Sequence, residues 1–348
     1  MGGVRHRSSC GGSSVPAVMD RRAFLSSVSA GFLTAPLVAE AQPAGKVWRI
    51  GVIGFAPTTA DMVGPDPSYV YVRALLEGLR ARGYVYGQHF VTEPRGAEGR
   101  PDRLPRLVDE LVRLPVDVIV PAGAALPALK QATSTIPIVV PGAGDPVGAG
   151  YAKSLARPGG NFTGLSFPFL ELVVRRLDLL KELLPLAGTV AVLWDQAFPQ
   201  VWDVLDAAAR ERRWKLLSLP IRDVGQGEDA VRSAAKARAR GLLVTAGVAF
   251  DPHPRRIVEP VARYGLPAMY HQRSYVQAGG LLSYGPDLLA IWSAAAVFVD
   301  KILKGAQPGD LPFEQPTKID LVINLKTAHA LELTIPGSLL RRADQVIE

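Results

Sequence analysis

From Val47 to the C-terminus, short apolar runs alternate with longer stretches in which apolar residues recur every three or four positions. The runs Trp48–Gly54, His89–Glu93, Val116–Val120, Ile136–Pro141, Thr163–Phe167, Thr189–Trp194, Trp214–Pro220, Leu242–Thr245, Leu266–Tyr270, Leu281–Tyr284 and Ile319–Ile323 predict strands. Many are rich in Val and Ile without strict alternation, the mark of strands covered on both faces of a parallel sheet. Between them, Tyr71–Gly83 puts Val72, Leu75, Leu76 and Leu79 on one face and stops at a glycine. The stretches Arg103–Leu114, Glu171–Leu184 and Ala290–Gly305 read likewise. Repeated strand–helix alternation demands right-handed crossovers and predicts an α/β fold with doubly wound sheets.

The pattern runs twice, once to about Phe167 and again from Thr189, without a visible sequence repeat. A chain of 348 residues is too long for one ordinary core, so two lobes are expected. Two turn-rich stretches, Arg157–Glu171 and Lys304–Lys318, read as crossings between them. Two open sheets joined by several crossings make a cleft and a hinge.

Composition adds limits. With 48% hydrophobic and 20% charged residues the chain can bury a core. The net charge is +7, but Lys and Arg are scattered among acidic neighbours, so nucleic-acid binding is not expected. Residues 1–41 read as an upstream extension followed, from Met19, by an export signal. A charged start, an uncharged run from Ala23 to Ala39 and the small-x-small Ala39-Glu40-Ala41 suit a cleaved signal peptide. That run falls short of the roughly 20 apolar residues of a membrane span. Arg21-Arg22-Ala23-Phe24-Leu25 is twin-arginine-like, with Asp20 where Ser or Thr is usual. The only cysteine, Cys10, lies in this part, so the mature chain offers no disulfide, thiol nucleophile or cysteine metal site.

In open α/β sheets ligands bind beyond the carboxyl ends of the strands. That rule selects Gly54 and Phe55, Gly123 and Ala124, and Gly144 and Asp145 in the first lobe. In the second it selects Asp195 and Gln196, Gly247 and Tyr270, with Ser166, Phe167 and Tyr284 near the crossings. The loop Gly142-Ala-Gly144-Asp145-Pro146-Val-Gly148 has the wrong spacing for a dinucleotide cradle, and its carboxylate would repel a pyrophosphate. Asp145 before Pro146 reads instead as the cap of a following helix, whose start would offer N–H groups to a small anion. The histidines are dispersed, Ser166 lacks the G-x-S-x-G context, and Asp251 with His253 is the nearest approach to an acid–base pair. Neither a catalytic set, nor a metal site, nor a cofactor is expected.

The segments "GDPVGAGYAKSLARPGGNFTGLSF", "GGLLSYGPDL" and "LPFEQPTKIDLVINLKTAHALELTIPGSLLRRADQVIE" closely resemble a family of ABC-transporter substrate-binding proteins, often described as tryptophan/tyrosine-transport-like. The resemblance runs from about Trp48 to the C-terminus. It implies a type I periplasmic-binding fold, two Rossmann-like lobes joined by a multi-strand hinge, with lobe 1 at 47–164 plus 284–312 and lobe 2 at 165–283 plus 313–348. It also implies a periplasmic monomer that holds a small molecule, such as an amino acid or an aromatic carboxylate, and passes it to an ABC permease in the inner membrane. On that reading Phe55, Phe167, Tyr270 and Tyr284 enclose the ligand body. N–H groups near Gly123 and Gly144, with Ser166, take an anionic end, and Asp195 meets a cation. Two loops depart from the family's pattern: "PAGAALPAL" lacks a hydroxyl, and "DQAFPQ" stands where an Asn-Pro-rich loop is usual. An exported α/β enzyme and a sensory ligand-binding module are the alternatives.

Overall fold

Twelve strands in the computed structural model form two separate sheets, and the model describes residues 46–184, 188–247, 250–251, 253–315 and 318–348. The export signal and Cys10 lie outside the described residues. The first sheet is built by β1 (Trp48–Gly54), α1 (Val70–Arg80), β2 (Phe90–Gly96), α2 (Leu104–Val112), β3 (Val118–Pro121), α3 (Leu126–Ala132), β4 (Ile138–Ala143) and β5 (Phe162–Ser166). Its order is β2-β1-β3-β4-β5, all parallel. β3 and β5 are buried throughout, as their unbroken apolar runs require, whereas the edge strand β2 alternates buried and half-buried positions.

The second sheet follows from α4 (Phe169–Leu183), β6 (Thr189–Asp195), α5 (Pro199–Glu211), β7 (Lys215–Ile221), α6 (Gly227–Lys236), β8 (Gly241–Val244), α7 (Pro254–Arg263), β9 (Ala268–Tyr270), α8 (Arg273–Gln277) and β10 (Leu282–Pro286). After α9 (Leu288–Leu303) the chain adds β11 (Ile319–Asn324), α10 (Leu325–Ala330), α11 (Gly337–Arg342) and β12 (Gln345–Ile347). The order is β12-β11-β10-β9-β8-β6-β7, with β10 and β11 antiparallel and the remaining pairs parallel.

α9 returns to the first lobe. It packs along α1 and against β4, and its apolar face, with Ile291, Trp292, Ala295, Phe298 and Val299, completes that core. Gly78 of α1 makes the approach possible, because a Cβ there would stand 2.4 Å from the Ser293 carbonyl oxygen. Asp287 caps α9 by accepting from the N–H groups of Leu289 and Ala290 at 3.0 and 3.1 Å. The chain thus passes between the sheets near 166–169, near 286–288 and again before β11. The last passage lies beside β5: the Ser166 N–H donates to the Glu314 carbonyl, and the Glu314 N–H to that of Gly164, both at 2.9 Å. Each sheet is sandwiched between two apolar clusters, and the two lobes share no cluster.

One local expectation fails. Asp145 does cap, accepting from the N–H groups of Val147 and Gly148 at 3.1 and 2.8 Å, but residues 146–150 form turns, not a helix. Glycine at 148 and at 150, the latter at φ +70°, bends the chain away within one turn. No helix start therefore stands behind Gly144 to draw an anion.

Candidate functional site

Strand order reverses at β1, which lies between β2 and β3, and at β6, which lies between β7 and β8. A cavity of about 450 Å³ opens where loops beyond these strand ends face one another. From the first lobe come Phe55 and Ala56 after β1, Ala122 and Gly123 after β3, Tyr69 and Tyr71 at the start of α1, and Trp292 of α9. From the second come Phe169 and Arg176 of α4, Asp251, His271 and Gln272.

The first lobe's wall is aromatic. Tyr71 stacks on Trp292 with centroids 5.9 Å apart and meets Tyr69 edge-on at 5.4 Å. Burial, followed by the charges of Asp251 and Asp287, pushes the Tyr71 phenol up to about 12. The Tyr69 phenol is raised as well, by burial first and then by Tyr71 and Asp251. Both are neutral phenols at neutral pH. The Tyr71 hydroxyl reaches across the cleft to Gln272 Oε1 at 3.4 Å.

The second lobe's wall carries the charge. Arg176 occupies an apolar-face position of α4, between Leu172 and Leu180, and is 2% exposed. Its Nε donates to the Tyr284 carbonyl at 2.6 Å, and its Nη1 has no hydrogen-bond partner among the described residues. Burial lowers the guanidinium to about 9, a fall opposed by Tyr284 and by the charge of Asp251, so it stays ionised at neutral pH. Asp251 is held by three donors. The Tyr275 hydroxyl gives to Oδ1 at 2.8 Å, while His271 Nε2 at 3.1 Å and the Gly247 N–H at 3.2 Å meet Oδ2. Because an ionised carboxylate only accepts, His271 donates from Nε2. Burial drives the Tyr275 hydroxyl well above its ordinary value, and Asp251's charge adds to the rise. Gly247 is required here: a Cβ would lie 2.5 Å from the Phe250 ring and 2.8 Å from Asp195 Cβ.

Among the residues the sequence singled out, Phe55, Gly123 and Phe167 line this cavity. Gly54 and Ala124 adjoin the first two in the chain, and Gly54 fits tightly over Pro57 and Met62. Gly144 lies against Phe169, and Asp145 is occupied in its own turn. Ser166 is buried, with a hydroxyl that has no partner among the described residues. Asp195 is buried at the end of β6 and accepts from the Ala197 N–H at 2.9 Å. Gln196 takes a hydrogen bond from Arg222 at 2.6 Å on the surface. Tyr270 is fully buried, stacked on Tyr275 at 5.0 Å. Tyr284 lines a separate outer groove with Leu170 and Arg175, and only its carbonyl serves the cleft, through Arg176. His253, read beside Asp251, is exposed at the start of α7, and His271 takes its place. Among the described residues no group of three His, Cys, Asp or Glu side chains is placed to hold a metal ion, and no helix is long and apolar enough to cross a membrane.

Comparison with known proteins agrees with this geometry. A curated "Tyrosine-binding protein" of Clostridioides difficile is 25% identical over 267 residues, covering 75% of this chain and 76% of that one. A solved conserved domain protein from Vibrio cholerae superposes with a TM-score of 0.77 at 28% identity, covering 86% of this chain and all of the other. The ABC domain from Streptococcus pneumonia, solved in complex with L-Trp, gives 0.74 at 26% identity over 87% of this chain and all of its own. The family model described as ABC transporter substrate binding protein matches residues 59–347. Proteins of this kind are typically extracytoplasmic and bind small molecules for an ABC permease. With the matched region spanning both lobes and the cleft between them, the chain belongs to the ABC transporter substrate binding protein family.

Proposed function

We propose that this chain captures a small aromatic solute by closing its two lobes and delivers it to an ABC permease in the inner membrane. The observation that carries the reading is the cavity of about 450 Å³ between the strand ends of the two sheets, walled by Phe55, Tyr69, Tyr71 and Trp292 on one side. Its volume falls within the range of roughly 300–1,000 Å³ of small-molecule sites. The lobes that close are those outlined by the sequence, about 47–164 with 284–312 and 165–283 with 313–348, with each bound moved a few residues to where the sheets part, near 166–169, near 286–288 and after Glu314. Two relatives at 25% and 26% identity carry an aromatic amino acid in their names, tyrosine and L-Trp, which supports an amino acid or an aromatic carboxylate as the ligand class. Closure follows from the ligand's better contacts in the closed state.

The charged start at Asp20-Arg21-Arg22 and the Ala39-Glu40-Ala41 site support periplasmic delivery by a cleaved, twin-arginine-like signal. The protein acts as a monomer, without nucleic acid, and binds without chemistry. Supporting the last point, the His271 nitrogen left over by the Asp251 bond, Nδ1, is buried with no hydroxyl or other partner beside it among the described residues.

A panel of aromatic amino acids, aromatic carboxylates, sugars and polyols tests the reading by thermal shift. A ligand at one hundred times its Kd stabilises the folded state by about 2.7 kcal/mol, enough for a clear rise in Tm. The aromatic members are expected to give it and the sugars and polyols are not. If no aromatic member shifts the transition, the reading is wrong.

A further inference from the structure

Two opposite charges line the cavity without meeting. Arg176 has one hydrogen bond, to a backbone carbonyl, and a buried Nη1 without a partner among the described residues. A guanidinium carries five donors in a rigid fork that matches a carboxylate. An ionised side chain taken this far out of water is expensive unless a counter-ion reaches it. Asp251 is the opposite case. Three donors fix its position, yet its side chain remains 25% exposed, and its oxygens keep free lone pairs. Both groups stand on the second lobe and both line the cavity, whereas the first lobe offers aromatic and apolar surface.

We propose that Arg176 takes the ligand's carboxylate and Asp251 its ammonium group, so that the second lobe reads the zwitterionic head of an aromatic α-amino acid while the first lobe covers its ring. The proposal rests on the reading of the cavity as the solute site and goes beyond it by fixing the head group. A simple aromatic acid pairs with Arg176 but faces Asp251 with a like charge. An aromatic amine satisfies Asp251 but leaves Arg176 unpaired beside a second cation. Only a molecule that carries both an ammonium group and a carboxylate answers both residues.

The test is calorimetric titration of the full chain with L-Trp and L-Tyr, their amides, the decarboxylated amines tryptamine and tyramine, and the deaminated acid indole-3-propionate. The wild type is expected to bind at least one amino acid roughly 100-fold more tightly than its amide, amine or deaminated counterpart, as loss of a buried charge partner usually gives. In Arg176→Met the preference for acid over amide collapses to within about threefold, and in Asp251→Asn so does the preference for amino acid over deaminated acid. Arg176→Lys, which keeps the charge but not the fork, retains part of the first preference. Tm values of all variants verify folding. If Arg176→Met is folded and still prefers the acid, or if the wild type takes the amide or the amine as well as the amino acid, the head-group assignment is overturned while the cavity keeps its role, which Tyr71→Ala confirms by weakening every ligand. If nothing aromatic binds the wild type, the solute reading itself fails, and the assignment with it.

Discussion

Truncating Trp292 to Ala is expected to weaken binding of the aromatic solute by about 2–4 kcal/mol, roughly 30- to 1,000-fold, the range of a buried aromatic hot spot. Trp292 projects from α9, itself part of the first lobe's core, and holds Tyr71 in a stack at 5.9 Å. Its loss removes one wall of the cavity and frees the second ring as well. The indole is 7% exposed, so stability also falls, by about 3–5 kcal/mol for a large-to-small change in a core. Trp292→Phe separates the two effects: it keeps an apolar ring against Tyr71 and should retain most of the affinity. Tyr71→Phe serves as the contrast. It removes only the 3.4 Å contact to Gln272, a bond too long to be worth much, and should leave affinity within about threefold. Equal losses in Trp292→Phe and Trp292→Ala would show that the ring does not hold the ligand.

The second large effect has the opposite sign on stability. Arg176→Met should make the ligand-free protein more stable, by about 1–4 kcal/mol, because well-packed apolar residues often replace buried ions with a gain of that order. The pH dependence identifies the cause. The guanidinium in the folded chain sits near 9, well below its ordinary value, so the folded state binds this proton less tightly than the unfolded state does. The penalty is therefore complete below about pH 9 and fades as pH rises from there towards the ordinary guanidinium range. The stability gap between Arg176→Met and wild type should be flat from pH 6 to 8 and narrow above pH 9, measured by denaturant unfolding. A gap of the other sign at pH 7 would mean that Arg176 is a structural tie to the Tyr284 carbonyl rather than a charge kept for a ligand.

Much of the fold was legible because burial on both faces leaves a plain trace. The uninterrupted runs at β1, β4 and β6 announce covered parallel strands, and glycine at 83 and 305 ends two helices as expected. β12 escaped because three residues, Gln345-Val346-Ile347, of which the first two are exposed, have no period to read. Around the cleft the sequence located the loops but often not the side chains. Tyr270 and His271 are adjacent at the end of β9, and a strand turns successive residues to opposite faces. The tyrosine went to the core and the histidine to the cleft. Arg176 was hidden by Arg175, since two arginines together look like a solvated face. The signal was present in the register: Leu172, Val173, Leu177 and Leu180 place position 176 on the buried stripe of α4. Asp251 is separated by 20 residues from His271 and by 24 from Tyr275, so only tertiary structure brings those three together. The expected helix after Gly144 was a failure of length, because a cap and a proline start a turn that Gly148 and Gly150 do not allow to continue.

The central claim, that the two lobes shut on a solute, can be measured between spin labels on opposite sides of the cleft. Val63, between β1 and α1 of the first lobe, and Arg255, next to the cavity-lining Pro254 of the second, are both exposed, and with Cys10 replaced by serine the chain has no other cysteine. In a Val63→Cys, Arg255→Cys protein, pulsed electron–electron resonance should give a distance distribution that shortens and narrows when an aromatic ligand reaches saturation. A distribution that stays unchanged, with saturation verified by calorimetry on the same labelled protein, would contradict the account.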